Sequence, residues 1–152
     1  MIDARIGAEP LDPEAEFAAF LRCLGGAGAV VSFVGLARPV AGSGARVERL
    51  FLDHHPRLTL RSVRNIAEAA RERFGAGGVR IVHRHGTIRA GEAIVFVAAA
   101  STHRRAAFEA ADFAMDRLKT EAMFWKREDA ADGVRWVEPV AGDYADAARW
   151  GP

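Results

Sequence analysis

The two lysines are the first residues whose type points to chemistry. Of the 21 basic residues in the chain, 19 are arginine, and the other two are Lys119 and Lys126. Arginine is effectively always protonated, whereas a buried lysine can lose its proton and act as a nucleophile or a base. The pair therefore invites a catalytic interpretation, and the alternative from their number alone is two solvated lysines on the surface.

A second group of potential cations, His103, Arg104 and Arg105, falls in the first turn of a predicted helix. Backbone N–H groups at a helix N-terminus favour an anion, and cations there oppose the helix dipole. We therefore expect a bound anion or an acidic partner to supply the missing charge. The alternative is an ion pair between one arginine and a surface carboxylate such as Glu109.

The histidines raise the question of a metal site. His83 and His85 share one face of a predicted strand, and His54 and His55 end another. No carboxylate or cysteine stands at matching ligand spacing, so we expect structural histidines and no metal. The sequence also lacks a GxSxG motif and the glycine-rich phosphate loops, and we expect no cofactor.

Apolar periodicity and turn residues predict the elements that position these side chains. Strands are expected at 2–7, 29–36, 47–54, 79–85 and 93–100, and a hairpin at 124–127 and 134–138. Helices are expected after an Asp12-Pro13 start, at 58–74, and at 103–119 with Ser101 or Thr102 as the cap. This order predicts an α+β fold with a mainly antiparallel sheet, three main helices and a C-terminal β-hairpin.

Length and composition predict a single globular domain over residues 1–152, with a mobile polar tail at 142–152. The net charge of +1 gives no basic field for nucleic acid, and the one cysteine, Cys23, excludes an internal disulfide. The N-terminus lacks the order of a signal peptide, and the longest uncharged run, 23–37, is shorter than the about 20 apolar residues of a membrane span. A cytoplasmic protein is therefore expected.

Seven short blocks occur in a characteristic order. They are GAVVSFVG (28–35) followed by Arg38, LDHHP (52–56), HRHG (83–86) followed by Gly91-Glu92, ASTHR (100–104), MDRLK (115–119), FWKRE (124–128) and WVE (136–138). Together they resemble the large, catalytic subunit of molybdopterin synthase, over roughly residues 2–140. Each block alone is weak, but the helix-end lysine followed by FWK and WVE is specific.

The resemblance implies an α/β hammerhead fold and a central homodimer. Each protomer of this family binds a small ubiquitin-like sulfur-carrier subunit, which gives a heterotetramer. The C-terminal Gly-Gly tail of the carrier bears a thiocarboxylate and enters the catalytic pocket. The enzyme moves two sulfurs onto cyclic pyranopterin monophosphate (precursor Z) and so makes the dithiolene of molybdopterin.

The resemblance also implies roles for individual residues. Lys119 and Lys126 match the catalytic lysines. We assign Lys119 to proton donation, oxyanion stabilisation or brief acceptance of the acyl group, and Lys126 to orienting substrate and tail. The remaining matches line an anionic-substrate pocket that the neighbouring protomer completes: Arg38, His103 and Arg104, with Phe33 and Met115 shaping it.

The chain departs from the family pattern at several positions. Met123 replaces a proline before Phe-Trp-Lys, and its flexibility is expected to loosen the approach to Lys126. Ala37 replaces the valine before the pocket arginine, and Asp53 replaces the commoner glutamate. Val140 stands near the place of a further basic pocket residue, for which Arg135 or Arg149 could compensate.

Two other functions stay open at this point. A non-catalytic homologue would bind the carrier without turnover, although both lysines and the His103-Arg104 pair argue for catalysis. An unrelated anion- or RNA-binding module would use Arg104, Arg105 and the aromatic residues, but the near-zero net charge and the lack of an RNA-recognition motif count against it.

Overall fold

The computed structural model describes all residues 1–152, which form eight strands and four helices. The strands are β1 (Ile2–Gly7), β2 (Ala29–Leu36), β3 (Val47–His54), β4 (Gly78–Arg84), β5 (Gly86–Arg89), β6 (Ala93–Ser101), β7 (Phe124–Ala130) and β8 (Gly133–Val137). The helices are α1 (Pro13–Arg22), α2 (Pro56–Phe74), α3 (Arg104–Glu121) and α4 (Ala141–Ala148). No helix has both the length and the apolar character of a membrane span.

The strands form two four-stranded sheets, in the orders β1-β4-β6-β2 and β5-β3-β7-β8. Only the β1–β4 pair is parallel, and every other pair is antiparallel. The predicted α+β fold with mainly antiparallel strands is therefore confirmed. β2 is the outer strand at one end of the first sheet, so one of its edges has no partner within the chain.

The core follows the alternation of strand side chains. Ile81, Val97 and Ala99 face α2 and α3 on one side of the first sheet, whereas Phe96 packs against Phe20 of α1 on the other. The second sheet buries a smaller cluster of its own, which includes Leu50, Leu52 and Ile88.

Strand directions bring three chain segments to the same end of the first sheet. Leu36 at the end of β2 pairs with Ala93 at the start of β6, and His83 near the end of β4 pairs with Val95. Helix α3 follows β6 and packs back over β6 and β2, so its last turn returns to this end. The chain therefore collects the ends of β2, β4 and α3 in one place.

Two of the three predicted helix starts need correction. Asp12 caps α1 as expected, because its carboxylate accepts from the N–H groups of Glu14 and Ala15. Helix α2 begins at Pro56, two residues before the predicted start, with His55 as its cap. Helix α3 is capped by His103, whose side chain makes no capping hydrogen bond. Ser101 is the last residue of β6, so neither Ser101 nor Thr102 is the cap that was predicted.

The predicted mobile tail contains a helix. Residues Ala141–Ala148 form α4, and Trp150 beyond it packs edge-on against Phe74 and Phe113 at centroid distances of 5.4 and 5.7 Å. A short strand, β5, was also not predicted, because four residues with one buried side chain carry little periodic signal. The hairpin strands run through Ala130 and from Gly133, so the turn is shorter than expected.

Candidate active site

The two lysines lie on consecutive elements, at the end of the first sheet where β2, β4 and α3 also end. Lys119 is exposed in the last turn of α3, where a cation is also favoured by the helix dipole. The chain becomes extended at Ala122 and enters β7 at Phe124. Lys126 pairs across β7 with Leu52 of β3, which is buried, so its side chain points to the inner face of the second sheet. Trp125 points to the outer face and is 49% exposed.

Lys126 has an unusual electrostatic environment. Its side chain is 30% exposed, and burial is the main cause that lowers its pKa below that of an ordinary lysine. The charges of Lys119 and Arg38 lower the pKa further, whereas those of Glu128 and Asp143 raise it. The Lys126 Nζ lies 3.9 Å from a Glu128 carboxylate oxygen. Four elements thus place charges around one amine, and the lowered pKa increases the fraction of free amine near neutral pH.

Lys119 makes no ion pair, whereas ten of the 19 arginines of the chain do. Its charge nevertheless reaches both Lys126 and His83 and lowers the pKa of each. The structure therefore brings the two lysines together, which the sequence alone could not establish. An exposed ammonium beside a second, partly buried amine can hold an anion or donate a proton.

His83 forms part of the wall below the lysines. Its Nδ1–H donates to the Arg84 carbonyl oxygen at 2.8 Å, and its ring stacks on Phe124 at a centroid distance of 4.0 Å. Burial lowers the pKa of His83 to about 4, and the charge of Lys119 contributes in the same direction. The imidazole is therefore neutral at pH 7. His54 and His85 stack on each other nearby, at 3.8 Å.

His54, His83 and His85 thus each pack against another ring. No group of three or more His, Cys, Asp or Glu side chains in the chain is arranged to hold a metal ion.

Arg38 reaches the lysines from the segment after β2. Ala37, which is 1% exposed, anchors this segment through two backbone bonds: its N–H donates to Glu92 O at 2.9 Å, and its carbonyl accepts from Gly91 N at 2.8 Å. Arg38 is exposed beside this fixed residue, and its charge acts on Lys126.

His103 and Arg104 lie at the opposite end of α3. Fifteen residues separate Arg104 from Lys119, which corresponds to about 22 Å along a helix axis. Within one chain, these two residues therefore do not join the lysine cluster. Arg104 and Arg105 are exposed, and neither forms the ion pair with Glu109 that was considered as an alternative. The positive charge of this first turn stays available to an external anion.

Phe33 and Met115 occupy the surfaces between the two ends of α3. Phe33 lies on the same face of β2 as Val31, which packs against the core under α3, but Phe33 itself is 42% exposed. Its ring covers Gly35, where a Cβ atom would lie 2.7 Å from the Cγ1 of Val95. Met115 is partly buried against the core. Both side chains therefore offer apolar surface next to α3.

The departures from the family pattern have different outcomes. At the position of the missing proline, the Met123 carbonyl accepts from the Thr59 hydroxyl at 2.7 Å and the Met123 N–H donates to Ser62 Oγ at 3.4 Å, so two side chains of α2 hold the backbone. Arg149 does not compensate at Val140, since it binds Asp112 and Asp116 of α3. Arg135 is likewise engaged, by Asp132.

Sequence reasoning missed three neighbours of the lysines: His83, Glu128 and Asp143. Glu128 could have been found, because it stands two residues after Lys126 and shares its strand face. Asp143 could not, since it comes from the helix in the predicted tail, where its carboxylate accepts from the Val140 N–H at 2.8 Å. The role of His83 depends on the pairing of distant strands.

A large surface groove lies away from these residues. It has a volume of about 710 Å³ and runs between α2 and α3, where Arg73, Phe113, Arg117 and Pro152 are among its lining residues. None of the predicted site residues lines it. The cluster of cations, rather than this groove, is the candidate active site, because only the cluster combines a perturbed amine with anion-binding side chains.

Known proteins resemble the chain along nearly its whole length. It is 46% identical to the molybdopterin synthase catalytic subunit of Caulobacter vibrioides over 142 residues, which is 93% of each chain. It is 45% identical to the subunit of the same name from Pseudomonas aeruginosa, over 96% of this chain and 97% of the relative.

Solved structures share the fold. The molybdopterin biosynthesis MoaE protein from Burkholderia ambifaria superposes with a TM-score of 0.84 and 39% identity, covering 100% of this chain and 99% of that one. A chain of a complex of subunits 1 and 2 of molybdopterin-converting factor from Helicobacter pylori has a TM-score of 0.72, with 19% identity over 90% of this chain and 89% of its own, and shows the fold alone.

The family model described as MoaE protein matches residues 6–121, about three quarters of the chain and including Lys119. The predicted resemblance is therefore confirmed: the chain belongs to the MoaE family, the family of the molybdopterin synthase catalytic subunit, an enzyme of molybdenum cofactor biosynthesis.

Proposed function

We propose that the chain transfers sulfur from the C-terminal thiocarboxylate of a small ubiquitin-like carrier subunit to cyclic pyranopterin monophosphate (precursor Z). The observation that carries this proposal is the partly buried amine of Lys126 beside Lys119 and Arg38. Three cationic side chains suit a substrate with a cyclic phosphate, and the sulfur arrives on another protein, so no catalytic cysteine is required.

The chemistry assigns a different task to each cation. Arg38 and Lys126 hold the anionic substrate, while Lys119 stabilises the oxyanion that develops on the carbonyl carbon of the tail or protonates the leaving group. The carrier sulfur bonds to a substrate carbon as the bond from that carbon to its oxygen substituent breaks, and the displaced oxygen leaves with a proton. Water then attacks the tail carbonyl. The carbon–sulfur bond to the carrier breaks, and the tail leaves as a carboxylate. A second loaded carrier supplies the second sulfur of the dithiolene.

A carrier subunit is the proposed macromolecular partner. The Helicobacter pylori structure is described as a complex of two subunits of molybdopterin-converting factor, which supports a small partner for this chain as well. A flexible Gly-Gly tail with a terminal thiocarboxylate fits a site that is open at the surface, where Lys119 is exposed. Phe33 and Met115 would then provide apolar walls for the tail and the pterin.

We also propose a homodimer that pairs β2 with β2 of a second copy, which makes the complete enzyme a heterotetramer with two carriers. The free edge of β2 exposes Phe33, Val34 and Leu36, at 42%, 37% and 57%, and carries neither proline nor charge. Such an edge is a template for strand pairing. A two-fold axis through the strand would extend the first sheet across both protomers.

This dimer explains why His103 and Arg104 lie far from the lysines of their own chain. Ala29 at the start of β2 pairs with Ser101, close to His103, whereas the end of β2 leads to Arg38. Antiparallel pairing places the start of one β2 beside the end of the other. His103 and Arg104 of the second copy would therefore approach Arg38 and Lys119 of the first and complete the anion-binding pocket.

The test is a sulfur-transfer assay with a thiocarboxylated carrier and precursor Z, in which molybdopterin is measured as its fluorescent oxidised derivative. We expect Lys119→Ala and Lys119→Arg to reduce the rate by about 100-fold or more, since general acid catalysis contributes 10²–10⁴-fold. Arg64→Ala, which removes an exposed charge on α2, is the matched control and should retain the rate.

Two results would contradict the proposal. Full activity of Lys119→Arg would show that only the charge at this position matters. A wild-type chain that binds the loaded carrier but forms no product would instead identify a non-catalytic homologue.

A further inference from the structure

The segment between the two lysines determines how far apart their amines lie. Helix α3 ends at Glu121, Ala122 is extended with φ −69° and ψ 135°, and β7 begins at Phe124. Only Ala122 and Met123 therefore connect the helix that carries Lys119 to the strand that carries Lys126. A change in the path of these two residues would move one lysine relative to the other.

A fully buried hydroxyl holds this segment. Thr59 lies in the first turn of α2 and is 0% exposed. Its Oγ1 donates to the Met123 carbonyl at 2.7 Å and accepts from the His55 N–H at 2.9 Å. Both hydrogen-bonding functions of the hydroxyl are used, and water has no access to replace it. The bond therefore ties the start of α2 to the connection between the lysines.

Ser62, one turn further along α2, holds the other backbone group of Met123. Its Oγ accepts from the Met123 N–H at 3.4 Å and donates to the Thr59 carbonyl at 2.8 Å. On the opposite side, Phe124 stacks on the His83 ring. Met123 and Phe124 are thus fixed from both sides, and Thr59 makes the shortest of the polar contacts.

We propose that Thr59 is a positioning residue, whose buried hydroxyl fixes the Ala122–Met123 connection and thereby sets the placement of the Lys126 amine relative to Lys119. Thr59 touches neither lysine, so it acts through the backbone. The catalytic consequence rests on the proposed sulfur transfer, whereas the structural consequence does not.

The pKa of Lys126 is a measure of where its amine lies, because the charges around the amine come from four parts of the chain. The amine faces Lys119 on α3, Glu128 on β7, Arg38 after β2 and Asp143 on α4. Burial lowers its pKa most, followed by the charge of Lys119. If Phe124 and the residues after it shift outward, Lys126 loses burial and moves away from Lys119, so its pKa rises toward that of an exposed lysine.

The composition of the chain makes this measurement direct. Because Lys119 and Lys126 are the only lysines, protein labelled with ¹³C-lysine gives two sets of side-chain resonances. Lys119→Arg assigns them. The experiment titrates the wild type and Thr59→Val, which removes the hydroxyl and keeps the shape. We expect the Lys126 pKa of Thr59→Val to lie above that of the wild type.

The same variant tests the catalytic consequence. A displacement of about 1 Å can lower a rate by about 100-fold, so we expect kcat of Thr59→Val to fall by about 10- to 100-fold with a smaller change in KM. Thr59→Ser keeps the hydroxyl and should restore both the lysine titration and kcat. Val63→Ala is the matched control, since Val63 is 0% exposed on the same helix and makes no polar contact with the connection. It should lower stability without changing either readout.

Several outcomes would overturn the inference. A folded Thr59→Val protein with an unchanged Lys126 titration would show that the hydroxyl does not position the lysine, and an unchanged kcat would show that its placement does not matter. If Thr59→Val does not fold, Ser62→Ala releases the Met123 N–H and must shift the Lys126 pKa in the same direction, or the inference fails. Should the wild type transfer no sulfur, the titration still tests Thr59 independently.

Discussion

At the residue scale, lysine and arginine have separate tasks in this chain. Arginines such as Arg80, Arg84 and Arg149 bind carboxylates that hold the fold together. The lysine at the end of α3 makes no ion pair, and the lysine of β7 has a lowered pKa. A guanidinium cannot lose its proton, so substitution of either lysine by arginine preserves charge but removes proton transfer.

His83 gives a prediction for stability against pH. Its pKa falls from 6.5 in the unfolded chain to about 4 in the folded one, mainly through burial. The neutral ring is therefore favoured in the fold, and its stabilisation is complete above pH 6.5 and lost as the pH falls toward 4. The shift corresponds to roughly 3 kcal/mol. We expect His83→Gln to remove this part of the pH dependence in urea unfolding between pH 7 and 4.5.

The neighbouring histidine serves as the control for this titration. Burial and the charge of His54 lower the pKa of His85, but His85 lacks the backbone bond and the Phe124 stack of His83. His85→Gln should therefore leave most of the acid-dependent loss in place. An identical pH dependence for wild type and His83→Gln would refute the prediction.

The residue types of the site could be predicted, but two of their neighbours, His83 and Asp143, could not. Lys119, Lys126 and Arg38 follow from the scarcity of lysine and the resemblance to the family, and the structure places their charges together. The effects of His83 and Asp143 depend on the pairing of β4 with β6 and on the docking of α4, which involve long sequence separations. The sequence predicts a loosened backbone at Met123 from the flexibility of that residue alone. The hydroxyl of Thr59, 64 residues away, binds the Met123 carbonyl, and this contact could not be predicted.

At the scale of elements, α3 determines which site residues can meet. It carries Arg104 at its start and Lys119 near its end, and a straight helix keeps them about 22 Å apart. Gly28 allows the start of β2 to approach the N-terminal end of α3, because a Cβ atom at this position would lie only 2.2 Å from the Thr102 carbonyl oxygen. The start of β2 can therefore lie directly against the residues that lead into α3.

The C-terminal element depends on one anchor. Trp150 contacts Phe74 and Phe113, its indole N–H donates to Asp116 at 2.6 Å, and Arg149 binds the same carboxylate. We expect Trp150→Ala to destabilise the protein by about 2 kcal/mol, less than a fully buried aromatic because Trp150 is partly exposed. Hydrogen exchange over Ala141–Ala148 should become faster, because α4 loses its attachment to α3.

Tyr144 provides a matched comparison, since it is 54% exposed on α4 and makes no aromatic contact with α2 or α3. Tyr144→Ala should leave unfolding and exchange close to those of the wild type. Retained protection of α4 in Trp150→Ala would show that the ion pairs of Arg149 suffice. The helix itself was missed from sequence because its eight residues bury no side chain fully, and only its docking identifies it.

At the scale of the whole molecule, the proposed dimer predicts which variants can complement each other. In the proposed dimer, each pocket contains Lys119 of one chain and Arg104 of the other. Lys119→Ala removes the lysine from the pocket of its own chain, and Arg104→Ala removes the arginine from the pocket of the second copy. A mixed dimer then contains one pocket with both residues and one with neither. If chains exchange freely, half of the dimers are mixed, so an equal mixture should recover about a quarter of the wild-type sulfur transfer.

The edge of β2 supplies the decisive variant for this prediction. Val34 is 37% exposed at the middle of the strand, and Val34→Lys places a charge on the edge that would pair. We expect sedimentation to change from dimer to monomer and complementation to disappear, whereas Val134→Lys, at the 66% exposed Val134 of β8, changes neither. If Val34→Lys chains are monomeric and the two variants still complement each other, His103 and Arg104 do not belong to a pocket that two chains share. Because one chain cannot bring the two ends of α3 together, activity would then have to depend on the lysine end alone.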